Sequence, residues 1–157
     1  MITIPLVNRS GACVGSTIVD DADASCVAQY VWRLRTTGSG MRYASRTENG
    51  QEIYLHGAVV GKLPRAYTID HVNRDGLDNR RANLRPATRA QNQQNRRVHW
   101  NSKSGVRGVC WDAAQGKWRV SVKQDGKRIY SARFVSLSEA ADAARRARLM
   151  LFSHATE

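Results

Sequence analysis

The sequence has few cysteines, no long apolar run and few acidic residues. Its three cysteines, Cys13, Cys26 and Cys110, form no C-x-x-C pair. This spacing argues against a cysteine-rich zinc site and fits a protein of the reducing cytoplasm. No stretch approaches the ~20 apolar residues that cross a bilayer. The N-terminus has no basic segment leading into an apolar one, so neither a membrane anchor nor a secretory signal is expected.

The shortage of acidic residues leaves the chain strongly basic. Its 157 residues include 25 Lys and Arg against 13 Asp and Glu, which gives a net charge of +12. Such an excess predicts a polyanionic partner, most often nucleic acid, although a solvated basic face is the simpler alternative. Residues 1–64 carry 6 basic and 5 acidic groups, residues 65–97 carry 8 and 3, and residues 98–157 carry 11 and 5. We therefore expect the partner to contact the middle and the C-terminal third.

The first 64 residues predict a small β-rich segment. A strand is expected near 2–7, at the edge of a sheet because of Pro5, and a second near 12–19, followed by a helix capped by Asp21 or Asp23. A hairpin is predicted from residues 41–46 and 51–60, around the turn at Glu48-Asn49-Gly50. The predicted core of this segment comprises Val27, Tyr30, Trp32, Tyr43, Ile53, Tyr54 and Leu55.

The central stretch 67–84, YTIDHVNRDGLDNRRANL, is poor in core-forming residues. It predicts a strand, a polar loop and a very short second strand, and the Thr88-x-x-Gln91 pattern then starts a helix near 89–97. Asp70 and His71 fall near the end of the first strand. A strand–loop–strand–helix hairpin can bring them onto one surface with Asn83 and Asn92, whereas each residue taken singly fits an ordinary polar loop.

These residue types suit metal-assisted phosphodiester hydrolysis. The Asp70 carboxylate and the Asn92 amide oxygen are ligands that Mg²⁺ accepts, and an unliganded His71 can take a proton from water near neutral pH. The Asn83 side chain or backbone is expected to hold the His71 ring in the required tautomer. Neighbouring phosphates would be held by Arg80, Arg81, Arg85, Arg89, Arg96 and Arg97.

Residues 54–97, with YLHG, IDHVNRDGLDNRRANLR and TRAQNQQN, resemble an HNH endonuclease of the kind common in bacteriophages. The resemblance implies a ββα-metal fold in which Asp70 and Asn92 are the metal ligands, His71 is the general base and Asn83 is the central asparagine. One departure is Gly57, which stands where the family often has Arg, so a phosphate contact there is not expected. His56 is expected to be structural.

The C-terminal residues predict a three-stranded antiparallel sheet packed on one helix. Strands are expected at 106–112, 117–123 and 127–134, and the Ser136-x-x-Glu139 pattern starts an Ala-rich helix. The helix face that packs on the sheet is predicted to carry Ala140, Ala143, Ala144, Ala147 and Met150 or Leu151.

This C-terminal segment is similar to the Apetala/ethylene-response type of DNA-binding domain, through its R-G-V-x-W, K-W-R and E-A-A-x-A elements. The likeness implies that the sheet binds the major groove, as β-sheet readers do. Strand alternation places Trp118 towards the helix and the basic side chains on the other face. The predicted DNA contacts are Arg107, Arg119, Lys123 and Arg128.

Together these features predict an α+β chain with three parts. An HNH nuclease domain spans 1–98 (motif 54–97), a linker spans 99–104 and a DNA-binding domain spans 105–157. The predicted function is a metal-dependent DNA endonuclease of homing or mobile-element type. It would use Mg²⁺, or Mn²⁺ in its place, and act on double-stranded DNA in the cytoplasm, that of the bacterial host if phage-encoded. The sequence leaves the oligomeric state open, with a monomer favoured. The alternatives are a non-catalytic DNA-binding regulator with a degenerate nuclease core and, less favoured, an RNA-directed binder.

Overall fold

The computed structural model describes residues 1–99 and 101–156 and has a mixed α+β fold. The chain divides into two compact units, Met1–Thr88 and Arg89–Glu157. The division falls ahead of the predicted linker at 99–104, so the helix that follows the central motif groups with the C-terminal elements. No helix in the described part of the chain is long and apolar enough to cross a membrane.

The first unit contains a five-stranded sheet, a separate two-stranded hairpin and two short helices. In chain order its elements are β1 (Ile2–Val7), β2 (Cys13–Val19), α1 (Asp21–Val27), β3 (Trp32–Thr36), β4 (Arg42–Glu48), β5 (Gln51–Tyr54), α2 (Leu55–Val60), β6 (Tyr67–His71) and β7 (Leu84–Thr88). The sheet order is β2-β1-β3-β4-β5, and only the β1–β3 pair is parallel. A 3-10 turn at Arg81–Asn83 leads into β7.

One buried cluster holds this sheet and its helices together. Alternation along β1 turns Ile4 and Leu6 inward, and the indole of Trp32 donates from Nε1 to the Val27 carbonyl oxygen at 2.8 Å, which fastens the end of α1 to β3. Burying these side chains supplies the main stabilisation of the unit. The buried members are Ile4, Leu6, Val19, Val27, Trp32, Ala44, Leu55 and Val59.

Three sequence predictions in this unit are wrong. Residues 51–60 are not one strand, because β5 ends at Tyr54 and Leu55–Val60 turns as a helix that buries Leu55 and Val59. Tyr30 lies outside the core with 38% exposure, since α1 ends at Val27 and the chain turns before reaching it. β1 is not an edge strand, because it lies between β2 and β3. β3 pairs only with Leu6 and Val7 of β1, so Pro5 faces no strand on the β3 side.

The second unit contains the predicted three-stranded antiparallel sheet and its packed helix. Its elements are α3 (Arg89–Gln94), β8 (Val109–Asp112), β9 (Lys117–Gln124), β10 (Lys127–Phe134) and α4 (Leu137–Leu151), and the sheet order is β10-β9-β8. The predicted turn between β9 and β10 is confirmed, with Asp125 and Gly126 both at positive φ, 49° and 77°.

Helix α4 packs on the sheet through its alanines, as predicted. Ala140, Ala143, Ala144 and Ala147 are buried, and small side chains let the helix approach Val109 and Val120 closely. The prediction that Met150 or Leu151 continues this face is wrong. They are 85% and 43% exposed.

Candidate active site

The β6–β7 hairpin carries Asp70 and His71 at the end of its first strand. The register sets Asp70 opposite Arg85 and His71 opposite Leu84. The two side chains point to opposite faces of the strand by ordinary alternation, yet both are nearly buried, at 5% and 6% exposure. A carboxylate and an imidazole are therefore held in protein rather than solvated, which is unusual for a polar loop.

The loop between β6 and β7 is organised by its own asparagine and aspartate side chains. The Asn73 amide N–H donates to Oδ1 of Asn83 at 2.9 Å, and Nδ2 of Asn73 donates to Oδ2 of Asp78 at 2.8 Å. Nδ2 of Asn83 in turn donates to the Asp78 carbonyl oxygen at 2.7 Å. These bonds satisfy the backbone of a segment that forms no regular ladder.

The same loop is fastened to the first sheet along β2. Ile18 donates from its amide to the Leu77 carbonyl oxygen at 3.0 Å and accepts from the Asn79 amide at 2.9 Å. This places the side chain of Asn79, which has no exposed surface, beside both Thr17 and the His71 ring.

Asn79 is the residue that orients His71. The Thr17 hydroxyl donates to the Leu77 carbonyl oxygen at 2.6 Å and accepts from Nδ2 of Asn79 at 2.7 Å. The amide oxygen of Asn79 therefore faces Nε2 of His71, 3.2 Å away. An amide oxygen only accepts, so Nε2 of the neutral ring carries the proton and Nδ1 becomes the basic nitrogen.

The expectation that Asn83 holds the His71 ring is corrected by this arrangement. The Asn83 side chain bonds to Asn73 and Asp78, and its carbonyl oxygen accepts from the Val72 amide at 2.9 Å. Asn83 thus closes the loop that carries Asn79, while Asn79 makes the ring contact. Its assignment as the central asparagine of the motif stays a prediction.

Aromatic rings enclose His71 on its other sides. The His56 ring meets His71 edge-to-face, with centroids 5.2 Å apart, and stacks on Tyr54 at 5.3 Å. Tyr43 lies 5.9 Å from His71 and 5.8 Å from His56. The loop itself presses against this wall, because a Cβ on Gly76 would come within 2.3 Å of the Arg42 carbonyl oxygen and 2.5 Å of the Tyr43 ring.

Burial keeps both histidines neutral. It lowers the pKa of His56 to about 4, with a smaller contribution from the nearby His71 ring. Burial also lowers the pKa of His71, although the bond to Asn79 and the carboxylates of Asp70, Asp75 and Asp78 act in the opposite direction. A neutral imidazole at pH 7 is able to accept a proton, as the sequence prediction for His71 requires.

Arg80 and Arg85, which the sequence predicts as phosphate contacts, form ion pairs inside the first unit. Arg85 donates to Oδ2 of Asp70 from Nε at 2.9 Å and from Nη2 at 2.8 Å. Arg80 pairs in two-point fashion with Asp78, from Nε at 2.8 Å and from Nη2 at 2.7 Å. The Arg80 guanidinium also holds the pKa of Asp78 below its usual range.

Arg81 connects the loop to the N-terminal helices. Its guanidinium donates to both carboxylate oxygens of Asp23 at 2.7–3.2 Å and to the Val59 carbonyl oxygen at 2.9 Å. Its amide donates to Oδ2 of Asp20 at 2.8 Å. Asp23 is therefore the buried partner of Arg81 and does not cap α1, because the N-cap residue is Asp20 and both Asp21 and Asp23 lie in the first turn.

The remaining predicted residues of the motif lie in the second unit. Asn92 is partly buried within α3, Arg89 begins the helix, and Arg96 and Arg97 follow its end. The described residues contain no cluster of three or more His, Cys, Asp or Glu side chains that could hold a metal. The two predicted ligands, the Asp70 carboxylate and the Asn92 amide, both offer oxygen atoms. Oxygen ligands suit Mg²⁺ better than a cation that prefers thiolate or imidazole.

A basic cleft of about 620 Å³ opens on the second unit. Arg119 and Ser121 line it from β9, and the described structure gives Nε of Arg119 and Oγ of Ser121 no hydrogen-bond partner although both atoms are buried. Among the residues that the structure describes, no Asp or Glu lines the cleft. Its basic lining residues are Arg96, Arg97, Arg107, Arg119, Lys123, Arg128 and Arg148.

A buried carboxylate and, at the next residue, a neutral imidazole oriented by an amide are groups that metal-assisted phosphodiester hydrolysis can use. Residues 57–94 match the family described as HNH endonuclease. Protein 3.8 of Escherichia phage T7 is 31% identical over 77 residues, which cover 49% of this chain and 64% of that protein. An uncharacterized HNH endonuclease of Acanthamoeba polyphaga mimivirus is 31% identical over 101 residues, which cover 64% of this chain and 51% of that protein.

The chain spans less than two thirds of the length of each of these relatives. No solved structure matches it. The matched segment holds Asp70, His71, Asn83 and Asn92, and it lies within residues 54–97, for which the sequence showed a resemblance to HNH endonucleases. Sequence reasoning missed Asn79, Thr17 and Tyr43. Asn79 stands in the quoted L-D-N-R element, but its role depends on the pairing of the loop with β2, which no local pattern indicates.

Proposed function

We propose that this protein is a metal-dependent DNA endonuclease that hydrolyses phosphodiester bonds, of the homing or mobile-element type. The observation that carries the proposal is the Asn79–His71 contact, which makes Nδ1 of a buried, neutral imidazole the proton acceptor beside Asp70. The match of residues 57–94 to the HNH endonuclease family supports the same chemistry. The relative in Escherichia phage T7 supports a phage origin, and action in the cytoplasm of a bacterial host is part of the proposal.

The proposed site uses Asp70 and Asn92 to hold one divalent cation, Mg²⁺ or Mn²⁺ in its place. The assignment of Asn92 rests on its place in the motif, and that of Asp70 rests on its buried carboxylate next to His71. Asp70 also accepts from Arg85, which helps to hold the direction of the carboxylate. A bound divalent cation would offset the charge that develops on the phosphoryl and leaving oxygens.

The protein residues would carry out the proton transfer and the positioning. Nδ1 of His71 takes a proton from water as the water oxygen forms its bond to phosphorus, and the bond to the leaving sugar oxygen breaks. Asn79 retains the proton on Nε2 and keeps the ring fixed during the step. The wall formed by His56, Tyr43 and Tyr54 limits solvent around the ring, which favours the neutral base at the start.

The basic cleft of the second unit is the proposed surface for duplex DNA. Buried donors at Arg119 and Ser121 are suited to a phosphate oxygen, and Lys123 and Arg128 add positive charge nearby. Because no Asp or Glu lines the cleft among the described residues, no carboxylate in its lining would repel a phosphate. This assignment agrees with the sequence resemblance to an Apetala-type DNA-binding domain, which we keep as a proposal together with a ββα-metal fold and a monomeric state.

The decisive experiment is nicking of supercoiled plasmid by the full chain and by His71→Ala. We expect Mg²⁺ or Mn²⁺ to support nicking by the wild type, EDTA to abolish it, and His71→Ala to lose about 100-fold or more of the rate. DNA affinity measured in EDTA should be unchanged, because His71 is not among the residues that line the cleft. Equal nicking by His71→Ala would contradict its role as the base. A wild type that binds DNA without cutting it under any metal would favour the non-catalytic regulator instead.

A further inference from the structure

Arg107 precedes β8 and donates to carbonyl oxygens at the C-terminal end of α3. Its Nη1 donates to the carbonyl oxygens of Gln94 at 2.8 Å and Arg96 at 2.6 Å, and its Nη2 donates to that of Gln93. The last carbonyls of a helix have no partner within the helix and carry its partial negative charge. The single planar guanidinium of Arg107 therefore hydrogen-bonds carbonyl oxygens at the end of α3 that have no partner within the helix.

The C-terminal tail reaches the same end of α3. The His154 amide donates to Oε1 of Gln94 at 3.2 Å, and the Thr156 hydroxyl donates to Oδ1 of Asn95. Gln94 and Asn95 are only 8% and 3% exposed. Two polar side chains that would ordinarily face water are thus buried against a segment about 60 residues further along the chain.

Helix α3 depends on these contacts because it is short. It has six residues, far fewer than the ~12–15 that an isolated helix needs to be even marginally stable in water. It also has no basic residue in its last turn to interact with its own dipole. Its conformation must therefore come from packing and from the groups that satisfy its termini, and Arg107 bonds to two carbonyl oxygens within its last turn, those of Gln93 and Gln94.

We propose that Arg107 is a positioning residue: by bonding the Gln93 and Gln94 carbonyls it fixes α3 and so holds Asn92 in place for metal binding. This inference rests on the proposed function, in which Asn92 is a metal ligand. It gives Arg107 a role different from the phosphate contact predicted from the sequence. Asn92 precedes the first bonded carbonyl by one residue, so a shift of the helix end moves the amide oxygen directly.

The test compares Arg107→Ala and Arg107→Lys with Arg146→Ala in the full chain. Arg146 is an exposed arginine of α4 that does not line the cleft, so its loss removes the same charge without touching α3. We expect Arg107→Ala to raise the Mg²⁺ concentration for half-maximal nicking by about 10-fold or more, the range seen for groups that support metal ligands. Arg107→Lys, with one ammonium in place of the fork, should fall between it and the wild type. Arg146→Ala should match the wild type.

Two further measurements separate positioning from phosphate contact. In EDTA, the slope of log DNA affinity against log salt should be the same in Arg107→Ala as in Arg146→Ala. Although Arg107 lines the cleft, its guanidinium is bonded to the carbonyl oxygens of Gln93, Gln94 and Arg96 and is proposed to contact no phosphate. Amide hydrogen exchange in residues 89–95 should become faster in Arg107→Ala and stay unchanged in Arg146→Ala. A weaker affinity with a salt slope reduced by about one, at an unchanged Mg²⁺ requirement, would make Arg107 a phosphate contact and overturn the proposal.

The outcome remains decisive if the proposed function fails or a variant does not fold. If the wild type does not cleave, the proposed endonuclease activity fails, and hydrogen exchange still tests whether Arg107 holds α3. If Arg107→Ala unfolds, Thr156→Val removes the tail bond to Asn95 at the same helix end. It should raise the Mg²⁺ requirement and the exchange rates in the same direction, by less. Unchanged values in both Arg107→Lys and Thr156→Val would overturn the proposal.

Discussion

The side-chain oxygen of Asn79 lies 3.2 Å from Nε2 of His71, and Thr17 fixes which end of that amide faces the ring. The chain of bonds runs from the Leu77 carbonyl oxygen through the Thr17 hydroxyl and the Asn79 amide to the imidazole. Once the Thr17 hydroxyl has donated its one proton to Leu77 it can only accept, so it faces Nδ2 of Asn79 and leaves the amide oxygen to accept from the ring. The tautomer of the proposed base is thus set by a strand of the first sheet, far from the motif in sequence.

We expect Asn79→Ala to reduce cleavage by about 10- to 100-fold, because His71 loses the acceptor that selects its tautomer. It should also lower the free energy of unfolding by about 1–3 kcal/mol, since a buried N–H is left without its partner. Nitrogen NMR of labelled histidine should report an Nε2–H ring in the wild type and a mixture in Asn79→Ala.

Thr17→Val is the matched variant, because it preserves Asn79 and removes the hydroxyl that orients the amide. Its cleavage rate should lie between those of the wild type and Asn79→Ala. An Nδ1–H ring in the wild-type protein would contradict the assignment of Nδ1 as the proton acceptor.

How far the sequence predicts the site depends on the range of each contact. Asp70 and His71 fall at the end of a strand, as the alternation in residues 67–72 indicates, and the alanine face of α4 follows from three-and-four spacing. Asn79 and Tyr43 could not be found this way. They reach His71 only because the loop pairs with β2 and because Gly76 lets it press against β4, and both contacts join distant parts of the chain.

The arginines show the same limit from another direction. A basic residue near a phosphate-binding motif predicts a phosphate contact, and the sequence gives Arg81 and Arg107 that role equally. In the structure, Arg81 pairs with Asp23, and Arg107 donates to carbonyl oxygens at the end of α3. Composition gives the number of guanidinium groups. The fold determines which of them are bonded to a carboxylate or a carbonyl oxygen of the protein itself.

The close approach at Gly76 makes a second prediction about the site. Alanine at this position would place its Cβ 2.3 Å from the Arg42 carbonyl oxygen and against the Tyr43 ring, so the loop or β4 must shift. We expect Gly76→Ala to destabilise the protein by about 1–3 kcal/mol and to slow cleavage, as Tyr43 moves away from His71.

Gly57→Ala is the control for Gly76→Ala, because a Cβ on this helical glycine meets nothing within 4 Å. Alanine favours a helix over glycine, so Gly57→Ala should leave cleavage unchanged and leave stability equal or raise it by up to about 1 kcal/mol. Urea unfolding and plasmid nicking measure both effects. A Gly76→Ala variant as stable and as active as Gly57→Ala would show that the loop does not press on the wall.

The neutral state of His56 predicts how stability depends on pH. Its pKa is about 4 in the folded protein, against 6.5 for an unperturbed histidine, so the unfolded chain binds a proton first as the pH falls. Stability is therefore complete above pH 6.5 and decreases from there towards pH 4. Between about pH 7 and pH 5 this one group accounts for a loss on the order of 2 kcal/mol.

His56→Phe should flatten this dependence while retaining a ring against Tyr54 and His71. Urea unfolding at about pH 7 and pH 5 measures the difference. We expect the variant to lose less stability than the wild type, with a residual loss from His71, whose pKa is also lowered by burial. An equal loss in both proteins would place the titration elsewhere.

The basic cleft predicts a specific change in salt dependence. If Arg119 and Arg128 each contact one phosphate, Arg119→Ala with Arg128→Ala should weaken binding to duplex DNA and reduce the slope of log affinity against log salt by about 2. The matched control is Arg145→Ala with Arg146→Ala, which removes two charges from exposed positions of α4 that do not line the cleft. Filter binding in EDTA over a range of salt measures both. The control should lower affinity only slightly at low salt and leave the slope near that of the wild type, because charges without a phosphate contact release no counterion on binding. If both double substitutions reduced the slope equally, DNA binding would depend on the overall charge of the protein. Arg119 and Arg128 would then make no specific phosphate contacts.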